Sequence, residues 1–326
     1  MQTDHRTGRE IFLCIIMLLF SLIAFSQQLT EPPKARDLLE AISQNNTDQV
    51  KSLLNQGANP NSFDADSDNA LMYAALYSSV DCMRMLLEKG AHVDQRNKNG
   101  ETALMWCAHD EDKLKLLLDH GADINAVSNL GNNTVLIAAS GYDQYHIVKL
   151  LVEKGADCLL VNKKNETALT KAAPSGDTAL AQLLVGKGVD ILATGRYNRP
   201  ALLYAIIFEN YDMSIWLINH IPNGKTTDSI FGSALTYAVV ADRSEVVKLL
   251  LARIKNIDWT DDDGNSALMW AAYNEHPNVE IIKLLLAKKA NPHHKAKDGS
   301  TPISWALKKG HTPVVDLLSD PKKYLQ

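Results

Sequence analysis

Thr102-Ala103-Leu104-Met105-Trp106-Cys107-Ala108, followed by Leu116-Leu117-Leu118-Asp119-His120-Gly121-Ala122, is the stretch whose reading decides the fold. Both halves recur along the chain. Ala-Leu stands at 70–71, 103–104, 168–169, 201–202, 234–235 and 267–268, and wherever one such pair follows another directly the spacing is 33 residues. Val135-Leu136 continues the series one residue early and Pro302-Ile303 two residues late. The second half returns as Met85-Leu86-Leu87-Glu88-Lys89-Gly90-Ala91 and as Leu150-Leu151-Val152-Glu153-Lys154-Gly155-Ala156. Leu284-Leu285-Leu286-Ala287-Lys288-Lys289-Ala290 repeats it with Lys in place of Gly. A period of this size marks a stack of supersecondary units, each touching only its neighbours.

The chemistry of one period explains the stack. Small residues after the motif Leu, such as Ala74-Ala75 and Ala271-Ala272, let a short first helix approach its neighbours closely. The Leu triplet, with Val or Ile before it, is the apolar stripe of a longer second helix. Gly90, Gly121, Gly155 and Gly188 stand where a helix ends in a left-handed residue. Polar tips such as Asn97-Lys98-Asn99-Gly100 and Asp261-Asp262-Asp263-Gly264 read as turns. One unit cannot bury its own stripe, so stability is shared along the array.

The period and the motif resemble the ankyrin repeat, with its Thr-Pro-Leu-His-x-Ala core. The residues that carry the likeness are the core above, Thr167-Ala168-Leu169-Thr170-Lys171-Ala172-Ala173, Ser266-Ala267-Leu268-Met269-Trp270-Ala271-Ala272 and Thr301-Pro302-Ile303-Ser304-Trp305-Ala306. The resemblance covers residues 32 to 320 and implies an all-α solenoid of about nine helix-turn-helix units, with β-turn tips and a cap at each end. Pro is replaced by Ala in most units, and His by Met, Ile, Thr, Leu or Ser. Both changes touch local hydrogen bonding rather than the fold.

The expected organisation is a signal peptide over 1–26, a short lead over 27–33 and the array over 34–326. Its units fall near 34–63, 64–96, 97–127, 128–161, 162–194, 195–227, 228–260, 261–295 and 296–326. His5, Arg6 and Arg9 precede the apolar run Ile11 to Phe25, and Ala24-Phe25-Ser26 fits a cleavage site that starts the mature chain at Gln27. Fifteen mostly apolar residues are short for the uncleaved membrane anchor that is the alternative. The protein is therefore expected in a periplasm or outside the cell. Between the fifth and sixth units His220-Ile221-Pro222-Asn223-Gly224 replaces the usual Gly-Ala exit; this alters the local superhelix or is neutral.

Export places the cysteines in oxidising surroundings. Cys107 takes a core Ala position and Cys82 a second-helix stripe, so both read as buried small hydrophobes. The alternative pairs them as a disulfide across neighbouring units. Cys158, just past Gly155-Ala156, is expected to be the more exposed.

A net charge of −5 on an exported chain argues against nucleic acid as a partner. Lys288, Lys289, Lys295, Lys297, Lys308 and Lys309 make the last units basic, against an acidic first tip at Asp64, Asp66 and Asp68. No nucleophile, base and orienting group can be nominated together, so no catalytic residue, cofactor or metal site is assigned and the chain reads as no enzyme. His293-His294 reads as a solvated tip. Asp261-Asp262-Asp263-Gly264-Asn265 lacks the acidic twelfth ligand of a calcium loop. Asn45, Asn132 and Asn165 begin glycosylation sequons that matter only in a eukaryotic secretory pathway.

Tyr73, Trp106, Tyr204, Tyr237, Trp270 and Trp305 form an aromatic ladder two residues past the motif Leu or Ile. The resemblance implies that this ladder packs between helices; the alternative is a stacking platform for a ligand. The resemblance also implies that a partner protein meets the turn tips and the exposed end of the first helix, which line a concave face. Mapped onto this chain, those positions give the candidates Tyr77, Asp110, Tyr142, Arg196, Tyr197, Arg199, Ile207, Phe208, Tyr273, Asn274, Asp262 and Asp263, with Ile230 among further tip residues. Apolar and aromatic side chains at nominally exposed positions are what the core of an interface needs. The expected function is a non-catalytic scaffold or stabiliser that binds another protein, with no stable membrane insertion after cleavage and a monomer as the default. An inhibitor or immunity-type protein occluding an enzyme or toxin, and a glycan or small-ligand binder using the concave aromatics, are the alternatives.

Overall fold

Thr, Ser or Asn placed just before a short apolar run should cap a helix, and it does so in pair after pair. The computed structural model describes residues 33–142, 144–224 and 228–324; the export signal read over 1–26 lies outside them. The described chain forms nine helix pairs in two compact units, which divide after Ala91. The first unit holds α1 (Pro33–Ser43) with α2 (Thr47–Asn55) and α3 (Ala70–Tyr77) with α4 (Val80–Glu88). The second begins with α5 (Ala103–Trp106) and α6 (Glu111–Asp119), α7 (Val135–Ala139) and α8 (Tyr145–Glu153), then α9 (Ala168–Ala172) and α10 (Thr178–Gly186). It continues with α11 (Ala201–Ile207) and α12 (Tyr211–His220), α13 (Asp228–Val240) and α14 (Ser244–Arg253), and α15 (Ala267–Tyr273) and α16 (Val279–Ala287). It closes with α17 (Pro302–Lys309), α18 (Thr312–Ser319) and a last turn, α19 (Pro321–Tyr324). No strand occurs among the described residues, only isolated bridges at the necks of turns, Phe63–Asn69, Thr194–Pro200 and Thr260–Ser266.

Within each unit first helices pack on first helices and second on second. In the first unit α1 meets α3 and α2 meets α4; in the second α11, α13, α15 and α17 form one row and α12, α14 and α16 another. The motif leucines Leu104, Leu136, Leu169, Leu202, Leu235 and Leu268 are fully buried, as are Leu117, Leu151, Leu184, Leu217, Leu250 and Leu285 of the second helices. Truncating any of them to Ala costs about 2–5 kcal/mol.

The caps differ in quality. The Thr134 hydroxyl accepts the Ile137 N–H, Ser266 accepts that of Met269, and Thr167 and Thr301 complete reciprocal boxes with Thr170 and Ser304. Thr102 does not: its hydroxyl is buried and unpartnered, and α5 that follows is only 4 residues long. The same unit is two residues short around Asp110. At the helix exits Gly90, Gly121 and Gly155 take φ of 89°, 84° and 95°, whereas Lys289 is held at φ 66° in the same place.

The irregular exit after α12 has a physical account. Arg253 from the end of α14 reaches back to the C-terminus of α12, donating to the carbonyls of Ile218 and, at 2.6 Å, Ile221. A guanidinium thus satisfies the Ile218 carbonyl, whose counterpart at Leu87 accepts the Gly90 N–H of a Gly-Ala exit. Next to it α13 begins six residues before the motif Ala234, and Trp259 lies against Gly232, where a Cβ would fall 2.2 Å from the indole.

Cys158 departs from expectation. It is buried rather than exposed, with its thiol 3.6 Å from the Ala156 carbonyl. Cys107 is a buried free thiol, so the Cys82–Cys107 disulfide is not formed.

Three local substitutions test this account by urea unfolding followed by circular dichroism. Thr167→Ala should cost about 1 kcal/mol as a lost cap, while Thr102→Val should be neutral or stabilising because no hydrogen bond is lost. Lys289→Gly should stabilise the array by about 1 kcal/mol by relieving a left-handed lysine.

Candidate interaction surface

The exposed side of the row of first helices, together with the turns that precede them, carries the residues singled out above. In the first unit Tyr77 ends α3 and is 41% exposed, its ring 5.9 Å from that of Tyr73. The Tyr73 hydroxyl donates to Asp64 Oδ2 at 2.8 Å across the first turn. Burial, and then the Asp64 carboxylate, push the Tyr73 hydroxyl far above its ordinary value. Burial and Asp68 raise Tyr77 in the same direction.

In the second unit Tyr142, Tyr197 and Phe208 are the most open aromatics, at 65%, 74% and 58%. Tyr197 sits at the tip of the turn between Thr194 and Pro200. The Cζ atoms of Arg196 and Arg199 lie 5.6 Å and 5.4 Å from its ring centroid, and Arg199 Nη2 donates to the Tyr237 hydroxyl at 3.2 Å. Arg196, Tyr197 and Arg199 are thus brought together, and Tyr237 joins them from the next pair. Tyr273 is brought to a second cluster: its ring is 5.0 Å from Trp305 and 6.2 Å from Trp270, with Lys309 Nζ 4.3 Å from its centroid.

Other candidates are occupied structurally. Asp110 is the N-cap of α6, accepting the Lys113 N–H at 3.1 Å and pairing with its ammonium at 3.6 Å. Asn274 is a bridge between neighbouring pairs: its amide donates to the Val239 carbonyl at 3.1 Å, and His311 Nε2 lies 2.9 Å from its own carbonyl. Ile207 is half-buried. Asp262 and Asp263 have exposed side chains, and their carbonyls accept from Lys297, Asp263 from its N–H at 3.0 Å. Ile230, read as a tip residue, lies half-buried inside α13.

The aromatic ladder is where the sequence reading needs correction. It is not sealed between helices: Tyr73, Trp106, Tyr204, Trp270 and Trp305 are half-buried and Tyr237 is 36% exposed. The reason, for all but Trp305, is a hydrogen-bonded polar handle on the ring. Trp106 Nε1 donates to Glu101 Oε2 at 3.2 Å, Tyr204 to the Arg196 carbonyl at 2.7 Å and Trp270 Nε1 to Asp261 Oδ2 at 3.0 Å. Tyr73, Trp106, Tyr204 and Trp270 therefore tie their helices to the turns before them, one edge buried and one open, whereas Tyr237 accepts from Arg199 of the preceding pair. Asp261 would be raised by burial, but the N–H groups of Asn265 and Asp263 and the Trp270 indole outweigh that and hold it below the usual carboxylate range. The spacing Asp64 to Tyr73 and Asp261 to Trp270 is the same, which is the sequence signal that could have revealed the clamp.

His294 Nε2 lies 2.7 Å from the Gly264 carbonyl of the preceding turn, so this ring braces the stack. Among the described residues no group of three His, Cys, Asp or Glu side chains is placed to hold a metal ion. Nor is any described helix long and apolar enough to cross a membrane.

Helix pairs stacked in two rows, linked by turns that stand over the first helices, define a helical repeat array whose accessible side chains are presented for binding. The family model that describes three consecutive ankyrin repeats matches residues 38–128, 126–195, 172–261, 202–296 and 235–325. The chain belongs to the ankyrin repeat family, and its repeats mark it as a protein–protein interaction module of a generally non-catalytic kind. No curated protein matches it in sequence.

Burial, and then the neighbouring Asp110, push the Cys107 thiol up to about 12. The folded value lies above the ordinary 9.0, so the stability gained from a neutral thiol is full below that value and is lost as pH rises toward about 12. Cys107 should therefore resist iodoacetamide in the folded chain near pH 8 and react once urea unfolds it. Cys107→Ala should flatten the loss of stability above pH 9.0.

Proposed function

We propose that this chain is an exported, non-catalytic binding protein that holds another protein against the face of its first helices and the turns above them, as a scaffold or stabiliser. The observation that carries this reading is the set of large aromatic side chains left open on that face, Tyr142, Tyr197 and Phe208. Aromatic anchors on a rigid frame supply contact area at low entropic cost, which is how interface hot spots are built. Export rests on the basic start and apolar run of residues 5–25, followed by Ala24-Phe25-Ser26.

The full chain, expressed with a C-terminal tag in cells that process signal sequences, should begin at Gln27 when its mass is measured; retention of residues 1–26 would favour the anchored form. The same tagged protein should capture a partner from the exported fraction. Tyr142→Ser, Tyr197→Ser, Phe208→Ser and Tyr273→Ser together should abolish that capture while leaving the circular dichroism spectrum intact. Equal capture by both forms would move the binding site off this face. If the captured partner is an enzyme or toxin that loses activity on binding, the role is inhibition rather than scaffolding.

A further inference from the structure

The surface changes character along the second unit. From α11 to α17 the exposed row of first helices carries Tyr204, Tyr237, Trp270, Tyr273 and Trp305 on successive pairs, whereas the corresponding ladder positions on α7 and α9 are Ala138 and Lys171. The aromatic band is continuous at its far end, where Trp270 and Trp305 meet edge to face at 5.4 Å.

Cations stand at both ends of this band. At one end Arg196 and Arg199 approach the same ring, Tyr197; at the other Lys309 lies over Tyr273. None of the three has a carboxylate within 4.0 Å among the described residues, whose ion pairs all lie elsewhere. Two guanidiniums on one turn without an anion repel each other, and a bidentate carboxylate is what their planar forks accept. Between the two ends the charge is of opposite sign. Asp262 and Asp263 are exposed on the turn before α15, and Asp261 is already engaged by Trp270 and Asn265.

The turn that carries Arg196 and Arg199 is more strained than the others. In each comparable turn the residue two before the helix cap is left-handed: Ser67, Gly100, Asn132, Asn165, Asn198, Gly264 and Gly299. At Asn198 alone, among the described residues, the preceding residue is left-handed as well, and it is Tyr197 at φ 59°. A bulky aromatic in this region costs about 1–3 kcal/mol, and the conformation holds the ring 74% open. Strain of this kind is retained where the side chain it aims has a use.

We infer that the band from Tyr197 to Lys309 binds an extended peptide that carries a carboxylate toward each end and apolar or aromatic residues between them. The inference rests on the reading of this face as a protein-binding surface and names the chemistry of what it takes. One carboxylate sits between Arg196 and Arg199, the other meets Lys309, and the uncharged centre lies on the aromatic rings and away from Asp262 and Asp263. Three steps between packed first helices, α11 to α17, span roughly 24–30 Å at ~8–10 Å per step. An extended chain covers that distance in about seven to nine residues, which sets the separation of the two carboxylates.

A displayed library of random peptides, about twelve residues long to cover that span, panned against the full chain tests this directly. Enriched sequences should carry Asp or Glu at the predicted separation around Tyr, Phe, Leu or Pro. Anisotropy of a fluorescein-labelled enriched peptide should show at least a tenfold rise in Kd for Arg199→Glu with Lys309→Glu, and weaker binding as salt rises. Tyr197→Gly removes the strain and the ring together; it should raise Kd tenfold while melting at the same temperature as the parent or higher. Enrichment of basic or uncharged sequences, no enrichment at all, or a Kd unmoved by the charge reversals would overturn the inference. If the four-residue serine variant still abolishes partner capture in that case, protein binding by this face stands and only the peptide chemistry fails. If capture is also unaffected, both fail.

Discussion

A helix pair in this chain exposes an apolar stripe that it cannot cover alone, and everything else in the structure follows from that debt to its neighbours. The motif leucines and the second-helix leucines are fully buried only because first helices lie on first helices and second on second within each compact unit. Burial of this kind is worth about 25 cal/mol per Å² of apolar surface, so each repeat is held by the pair beside it. The small residues after the motif Leu, among them Ala271-Ala272, are buried for the same reason: a larger side chain there would push the rows apart.

Polar groups settle the details that burial leaves open. Threonine and serine caps start four of the first helices, and Thr102, which stands at the same position without capping, precedes the shortest first helix. Where the chain abandons the Gly-Ala exit after α12, Arg253 supplies donors from a residue more than thirty positions away. The aromatic ladder belongs to the same system. The hydroxyls of Tyr73 and Tyr204 and the indoles of Trp106 and Trp270 fix their turns to the helices that follow, so these rings are held while one edge stays open. A rigid, half-open aromatic surface suits recognition better than a sealed core does, because little side-chain freedom remains to be lost on binding.

The fold was legible in the sequence because its signals are local and repeated. The 33-residue spacing, the Leu triplets and the glycine exits each report a backbone or burial requirement that recurs in every pair. The surface was legible only in part. Tyr142, Tyr197 and Phe208 stand in the open as their repeat positions suggested, whereas Tyr273, read by the same rule, is half-buried beside Trp270 and Trp305. Asp110 and Asn274 were assigned to a partner although they serve as a cap and an inter-repeat bridge, since a polar residue near a tip looks the same in either role. Cys158 looked exposed because it follows an exit, yet it is buried.

By itself, then, the sequence determined the repeat, the helical class and the family, because periodic burial is written one residue at a time. At Trp106 and Tyr204, whose acceptors follow no shared spacing, tertiary structure alone decided what the ladder does. Whether an aromatic ring faces a core or a turn depends on which acceptor lies within about 3 Å of its polar atom, and those acceptors come from turns that only folding brings near. It also decided that Arg196 and Arg199 share one ring held out by a left-handed tyrosine, a dihedral angle and a pair of distances that no pattern of residue types encodes.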